Sequence, residues 1–402
     1  MGCDESLAEL ATLAASAGLE VVGQIKQRLR EVDPRTFIGR GKVAELAQLA
    51  RERQATLVVF DDSLSPVQAR NLERELELRV IDRSQLILDI FAQRARSLEG
   101  KIQVEMAQLK YLQARLSRQW THLSRLSAGG GVGGRVGTRG PGETQLEVDR
   151  RRIRQRLARL SAKLREIERA RSLQRQRRQE QAYPVVALVG YTNAGKSSLM
   201  NALAKASVEV APRPFSTLDP TVRKLKLPSG LEIILADTVG FIHRLPHLLI
   251  EAFKATLEEV RNADLLLHVV DLSSPLRSEQ MEVVDKVLGE IGVGETPRIL
   301  VKNKADLVNT RECDERTEGG VIVSARTGFG LDRLLARIGD FFAGLQQEIT
   351  VSFPASRGDL LAVAHRGGRV VSQEFQAGMV FMRALVSAPI AARLRHAAEF
   401  AR

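Results

Sequence analysis

Cysteine is scarce: the 402 residues include two, Cys3 and Cys313, far apart in the chain. Two thiols so placed build neither a disulfide framework nor a four-ligand zinc site. They read as ordinary thiols of a reducing compartment. Long apolar runs are missing as well. No stretch approaches the roughly 20 residues that cross a bilayer, and Met1–Leu10 carries Asp4 and Glu5 rather than a basic flank before an apolar segment. A cytoplasmic protein without membrane insertion is expected. The six histidines offer no metal pair with a third ligand, His243, His247 and His268 included, so packing or surface roles are assigned to them.

What the chain does have is basic charge, and it is concentrated. The net charge is +12. Between Asp149 and Arg178 stand thirteen Lys/Arg against three acids, so one element carries most of the surplus. A merely solvated helix gains stability by interleaving Glu with Arg. This one does not, which suits a polyanionic partner.

With 44% hydrophobic and 27% charged residues the composition is that of a folded, multidomain α/β protein. Residues 1–98 alternate β-like runs (Glu20–Gly23, Thr56–Asp61, Arg79–Asp82) with helix-like stretches (42–53, 66–78, 85–96), the pattern of a small N-terminal α/β domain. Over 99–182 the apolar residues form narrow seams: Ile102, Leu109, Leu116 and Leu123 with Leu112 and Leu126, then Leu146, Ile153, Leu157, Leu160, Leu164 and Ile167. Two seamed helices predict a long antiparallel hairpin. Its tip, Ser127–Gly142, holds eight glycines, one proline, Arg135 and Arg139, and no acid. Such a backbone approaches a surface closely, and its charges favour phosphate.

Residues 183–343 contain near-continuous apolar runs (Val185–Val189, Ile233–Ala236, Leu265–Val270, Ile299–Val301, Val321–Val323) separated by helical stretches, predicting a mostly parallel, doubly wound sheet. Residues 344–402 read as a small C-terminal α+β unit with β-like 348–353 and 379–386.

The chemistry lies in the third region. Gly190-Tyr191-Thr192-Asn193-Ala194-Gly195-Lys196-Ser197 follows an apolar strand and opens a helix, the context a P-loop requires. Its amides would wrap phosphate, Lys196 would neutralise β/γ oxygens and Ser197 would ligate Mg²⁺. Asp237-Thr238-Val239-Gly240 follows a second strand; there an Asp holds Mg²⁺, usually through water, and the Gly240 N–H meets a γ-phosphate. Asn303-Lys304-Ala305-Asp306 follows another, and the Asp306 carboxylate would accept N1–H and the exocyclic amine of guanine, a donor pair adenine lacks. Ser324-Ala325-Arg326 ends the last strand, where the Ala325 N–H would bond guanine O6. Every motif sits at a strand carboxyl end, where open α/β sheets bind ligands.

Between these, Phe215-Ser216-Thr217-Leu218-Asp219-Pro220-Thr221 reads as a first switch, with Thr217 or Thr221 closing on Mg²⁺. Position 241, where Ras-like enzymes place a water-orienting Gln, is Phe241. A phenyl ring neither orients water nor stabilises charge, so slow unaided hydrolysis and an external activator are expected. Lys196, Thr217 and Gly240 are the residues expected to act on the transferred phosphoryl group, with GTP as substrate and GDP as product.

These motifs, with Gly39-Arg40-Gly41-Lys42, Glu99-Gly100-Lys101-Ile102-Gln103-Val104-Glu105 and Arg139-Gly140-Pro141-Gly142-Glu143-Thr144-Gln145-Leu146-Glu147, resemble the HflX family of the Obg-like GTPases over nearly the whole chain. The resemblance implies binding to the large ribosomal subunit and its RNA through the hairpin and residues 127–142, the tip entering near the peptidyl-transfer centre, and a role in splitting or rescuing stalled ribosomes. It also implies Thr217 rather than Thr221 as the metal ligand, together with Ser197, and the chain is expected to be a monomer. Ser198 departs from the family's usual Thr, and His243-Arg244 from a commoner basic-acidic pair. Two other readings stand beside it. One is an RNA-binding assembly factor in which GTP only sets conformation. The other is a potassium-activated GTPase acting on tRNA, similar to the MnmE family, because Asn193 occupies a P-loop position that can hold a monovalent cation.

Overall fold

The computed structural model describes residues 2–127, 141–180, 183–204, 215, 221–244, 257–308 and 319–399. Ser216, Thr217, Leu218 and Asp219 of the expected switch, most of the glycine-rich tip, His247 and Cys313 lie outside these residues. The chain divides into two compact units.

The first unit comprises residues 1–167 with Arg213–Leu218 and Arg244–Lys254. Its parallel pair β1 (Leu57–Phe60) and β2 (Arg79–Asp82) is accompanied by α1 (Cys3–Ser16), α2 (Arg40–Glu52), α3 (Pro66–Leu76) and α4 (Arg83–Arg94). Helix α3 starts where Ser65 caps it: the Gln68 N–H donates to Ser65 Oγ at 3.2 Å and Gln68 returns a carbonyl to the Ser65 N–H at 2.9 Å, a capping box with Pro66 at the first turn. Leu72, Leu76, Val80 and Val43 bury around it. The expected strand Glu20–Gly23 is absent: residues 19–29 carry no strand, and Val21 and Val22 are exposed. Two valines cut short by Gly23 offer too little β-branched surface to hold a pairing.

Two long helices follow, α5 (Leu98–Ser127) and α6 (Pro141–Glu180). Helix α5 is anchored by its first half. Ile102, Val104 and Ala107 are buried, and the Tyr111 hydroxyl reaches both Asp82 carboxylate oxygens at 2.9 and 3.0 Å. Burial and the Asp82 carboxylate push the Tyr111 phenol well above its ordinary value. Leu112, placed in the seam by its spacing, is exposed instead, because the domain face of α5 and not a two-helix seam takes the apolar side there. In α6 Ile153, Leu157, Leu160, Leu164 and Ile167 are among the less exposed of the described side chains, with exposed basic residues between them, and the side chain of Leu146 lies outside the described ones. The helices meet where Arg156 Nε donates to Glu105 at 2.6 Å.

The second unit holds a six-stranded sheet of order β4-β5-β3-β6-β7-β8: β3 (Val185–Gly190), β4 (Thr221–Lys226), β5 (Glu232–Asp237), β6 (Leu265–Asp271), β7 (Arg298–Asn303) and β8 (Val321–Ile322). All neighbours are parallel except β4, which runs antiparallel to β5 at the edge. Helices α7 (Lys196–Ala204), α8 (Glu258–Arg261), α9 (Arg277–Glu290) and α10 (Leu331–Gly344) intervene or follow. The central strands β3 and β6 are buried nearly throughout, as their unbroken aliphatic runs require of a sheet covered on both faces. His268 lies within β6, and burial pushes its imidazole down to about 4, so it is neutral near neutral pH.

The tail builds an antiparallel sheet of order β10-β11-β9 from β9 (Gln346–Pro354), β10 (Gly368–Gln376) and β11 (Met379–Ser387). Helices α11 (Gly358–Gly367) and α12 (Ala388–Glu399) complete a core of its own around Phe353, Leu360, Met382 and Leu394.

Candidate nucleotide site

Strand β3 ends at Gly190, and the loop Tyr191–Gly195 carries the chain to α7. Within it Asn193 takes a left-handed φ of 61° and Gly195 a φ of 91°. A side chain on Gly195 would stand 2.3 Å from Asn303 Nδ2, so conformation and close approach both demand glycine. Lys196 is buried, its ammonium donating to the carbonyls of Gly190 at 3.0 Å and Tyr191 at 2.9 Å. Burial pushes its pKa down to about 8, against the opposing pull of Asp237. A desolvated ammonium at the mouth of a loop is poised to gain from an anion.

Asp237 ends β5, fully buried, and its Oδ2 accepts the Ser197 hydroxyl at 2.6 Å. The next residue, Thr238, is tied to β3 by a 2.6 Å bond from its hydroxyl to the Leu188 carbonyl. Val239 is buried. Gly240 then passes so near the loop that a methyl on it would lie 2.9 Å from both Lys196 Nζ and Thr192 Cα.

Phe241, which cannot orient water, is held inside the fold. It is 2% exposed and forms a parallel bridge with Tyr191. The Thr192 N–H donates to the Phe241 carbonyl at 2.7 Å, and the Phe241 N–H to the Gly190 carbonyl at 3.1 Å.

A second cluster forms where β7 and β8 end. Asn303 spans two loops: its Nδ2 donates to the Ala194 carbonyl at 2.9 Å, and its Oδ1 accepts the Ala325 N–H at 3.0 Å. Sequence alone did not show this role, because its two partners lie 109 and 22 residues away. Lys304 adopts a left-handed φ of 65° and pairs with Asp271 at 2.5 Å. Ala305 is buried against Val323, whose carbonyl accepts the Ala305 N–H at 3.1 Å. Asp306 accepts the Ser324 hydroxyl at 2.6 Å, with Arg326 at 3.9 Å. The Ser324 bond holds the Asp306 carboxyl below the usual range, so it is an acceptor at neutral pH.

The structure thus brings Gly190–Ser197, Asp237–Gly240, Asn303–Asp306 and Ser324–Arg326 to the carboxyl ends of one sheet. Phe215 belongs to the first unit, where it is buried and edge-on to Phe91, ring centroids 4.5 Å apart. Arg244 also belongs to the first unit and pairs with Asp62 at 2.7 Å.

A loop of P-loop sequence leaving the central strand of the six-stranded sheet makes this part of the second unit a P-loop GTPase domain. Family models match in chain order: "GTP-binding GTPase N-terminal" over residues 4–92, "GTP-binding GTPase Middle Region" over 94–178 and "50S ribosome-binding GTPase" over 185–304. GTPase HflX of Caldanaerobacter subterraneus subsp. tengcongensis is 48% identical, covering 98% of this chain and 90% of that protein. GTPase HflX of Escherichia coli is 46% identical over 89% and 83%. A GDP-bound GTP-binding protein from Sulfolobus solfataricus is 24% identical, with a TM-score of 0.43 over 85% of this chain and 96% of that one. The chain belongs to the HflX family, and it is a GTPase.

Proposed function

We propose that this GTPase hydrolyses GTP to GDP and phosphate in response to the large ribosomal subunit, and that it splits or rescues stalled ribosomes. One observation carries the reading. Helix α6 runs 40 residues from Pro141 to Glu180, about 60 Å at 1.5 Å per residue, with thirteen Lys/Arg against three acids from 149 to 178 and the basic side chains from Arg151 to Arg169 exposed. A polyanion with deep, narrow access, such as ribosomal RNA, suits an arm of this length and charge. The basic, glycine-rich residues 127–142 are its proposed tip. The family-model description "50S ribosome-binding GTPase" supports the same partner. In this reading 1–98, 99–182, 183–343 and 344–402 act as four parts: N-terminal domain, arm, GTPase domain and C-terminal unit.

Within the GTPase domain, residues 190–197 take the phosphates, with Lys196 on the β/γ oxygens. Asp306 reads guanine, and the Ala325 N–H meets its O6. Asn303, Lys304, Ala305, Ser324 and Arg326 shape that pocket. Ser197 and Asp237 bring a hydroxyl and a carboxylate together, the hard oxygen donors that suit Mg²⁺. Ser197 would bind the ion directly and Asp237 through water, with Thr217 completing the set. The ion would neutralise charge developing on the phosphoryl oxygens. Thr238 and Val239 hold Gly240 where its N–H meets the γ-phosphate, and Phe215–Asp219 form the first switch. With Phe241 buried, no side chain at that position orients water, which supports an activator supplied in trans. Asn193, exposed and left-handed at the loop's lip, is the residue that would favour potassium; equal turnover in potassium and sodium would remove that role.

The test is GTP turnover with and without purified large ribosomal subunits. At least tenfold stimulation is expected, lost when residues 128–140 are deleted while nucleotide affinity stays. No stimulation would refute the proposal.

A further inference from the structure

We infer that Tyr183, Lys224 and Glu232 form a clasp between the root of the basic arm and the edge strand β4, and that Tyr183 and Lys224 are positioning residues relaying the arm's engagement to the metal end of the nucleotide site. The inference rests on the proposed reading that the arm meets the large ribosomal subunit and that this contact raises turnover.

All three residues belong to the second unit. Tyr183 stands three residues beyond Glu180, the last residue of α6, and two before β3. The Lys224 ammonium donates to the Tyr183 hydroxyl at 3.0 Å, lies 4.4 Å from the centre of its ring and pairs with Glu232 at 2.6 Å. The register explains the reach. Lys224 is opposite Ile234 on β5, Ile234 is opposite Val185 on β3, and the Ile234 N–H donates to the Pro184 carbonyl at 2.8 Å. Side chains alternate along a strand, so Lys224, Ile234 and Glu232 share one face. Lys224 passes over β5 on that face to the residue where the chain from α6 enters the sheet.

Strand direction gives this contact its consequence. Of the described strands of the sheet, β4 alone runs against the others: it starts at Thr221, opposite Asp237, and ends at Lys226, opposite Glu232. It therefore joins the end of the sheet where Asp237 accepts the Ser197 hydroxyl to the end where the chain from α6 arrives. Lys224 lies three residues from Thr221, about 10 Å of extended chain. As the edge strand, β4 pairs with β5 alone among the described residues, so side-chain links help to fix where it sits. An exposed pair such as Lys224–Glu232 adds little to stability, and it would serve Lys224 as a partner by itself. The further bond to a tyrosine outside the strands ties two parts together. A load that shifts Tyr183 passes through Lys224 to β4, and with it to Thr221 beside Asp237. Cutting the clasp leaves an arm that binds and a site that hydrolyses, and separates the two.

The test uses the full-length chain with Tyr183→Ala, Lys224→Met and both together. Basal GTP turnover, turnover at saturating purified large ribosomal subunits, and cosedimentation with those subunits are measured. Each single variant is expected to lose three- to tenfold of the stimulated turnover, a change of about one hydrogen bond, with basal turnover and subunit affinity within twofold of wild type. The double variant is expected to lose no more than either single one, because both side chains act through one link. Tyr183→Phe, which keeps the ring beside the ammonium, is expected to recover part of the loss. In the free chain, amide exchange across β4 is expected to accelerate in Tyr183→Ala while β6 and β7 are unchanged; a misfolded variant exchanges throughout. Stimulated turnover within twofold of wild type in both single variants, losses that multiply in the double variant, an equal fall in basal turnover, or unchanged exchange in β4 would overturn the clasp. A wild-type chain that large subunits do not stimulate would refute the proposed function and the relay with it, and the β4 exchange, read without ribosomes, tells that failure from failure of the clasp.

Discussion

The two ends of the proposed nucleotide site are built differently. At the base end the lattice is made of side chains: Asn303 joins Ala194 to Ala325, Ser324 holds Asp306, and Lys304 pairs with Asp271. At the phosphate end Ser197 is bonded to the Asp237 side chain, but the other links reach the main chain: Lys196 on two carbonyls, Thr238 on that of Leu188, and Phe241 bonded through its backbone to Gly190 and Thr192. Side-chain partners of fixed identity store a choice of ligand. Main-chain amides can exchange one acceptor for another, and a phosphate is such an acceptor. The contrast assigns specificity to one end and response to the other.

The strongest way to break the comparison is at Asp306. Asp306→Asn should lower GTP affinity about a thousandfold or more, because a site built around hydrogen bonds to one base rejects a mismatch by that order. It should restore binding to xanthosine triphosphate, in competition measurements with a fluorescent nucleotide. Equal loss of both nucleotides would mean that Asp306 is structural. Next is Gly240→Ala, whose methyl meets Lys196 Nζ and Thr192 Cα at 2.9 Å. A displacement of about 1 Å at a phosphoryl-transfer centre costs about a hundredfold, so turnover should fall by that order while guanine-over-adenine preference persists. Asn303→Ala should be milder. Removing both bonds between the base loops and the phosphate loop should weaken GDP and the GTP analogue together, by about tenfold for roughly 1–2 kcal/mol.

A smaller effect concerns pH. Lys196 is held down to about 8, chiefly by burial. Below that value the ammonium is already charged in the free protein, so phosphate binding takes up no proton. Above it the free lysine is neutral, and an arriving phosphate restores the charged form. Affinity should then fall by up to tenfold per pH unit above about 8. Calorimetry in buffers of different ionisation enthalpy should show proton uptake at pH 9 and none at pH 7. Absence of uptake at pH 9 would place Lys196 away from the phosphates.

Much of this was readable in the sequence, and what escaped it has a common cause. Strands β3, β5, β6 and β7 announce themselves as aliphatic runs because a sheet covered on both faces needs apolar residues at every position. The edge strand β4, Thr-Val-Arg-Lys-Leu-Lys, is only half buried and carries no such run. Strand β10 is mostly exposed and escaped for the same reason. In α5 the heptad spacing found the helix but misjudged its buried face at Leu112, because spacing cannot say which neighbour the apolar side meets. The motif residues were evident one loop at a time. Their connections were not: nothing local pairs Asn303 with Ala194, or Tyr191 with Phe241 and, through its hydroxyl, with the His243 N–H. Phe241 shows the limit most clearly. Its identity indicated a missing water-orienting group, whereas its bridge to Tyr191 is a property of the folded sheet.

Amide hydrogen exchange on the full-length chain, with GDP and then with a non-hydrolysable GTP analogue, tests the division between the two ends most directly. Protection of the Ala325 and Thr327 amides, which donate to Asn303 and Ser324, is expected to be the same with either nucleotide. The Phe241 and His243 amides are expected to lose protection only with the analogue. Equal protection of all four with both nucleotides, or loss at both ends together, would contradict a fixed base end and an opening phosphate end.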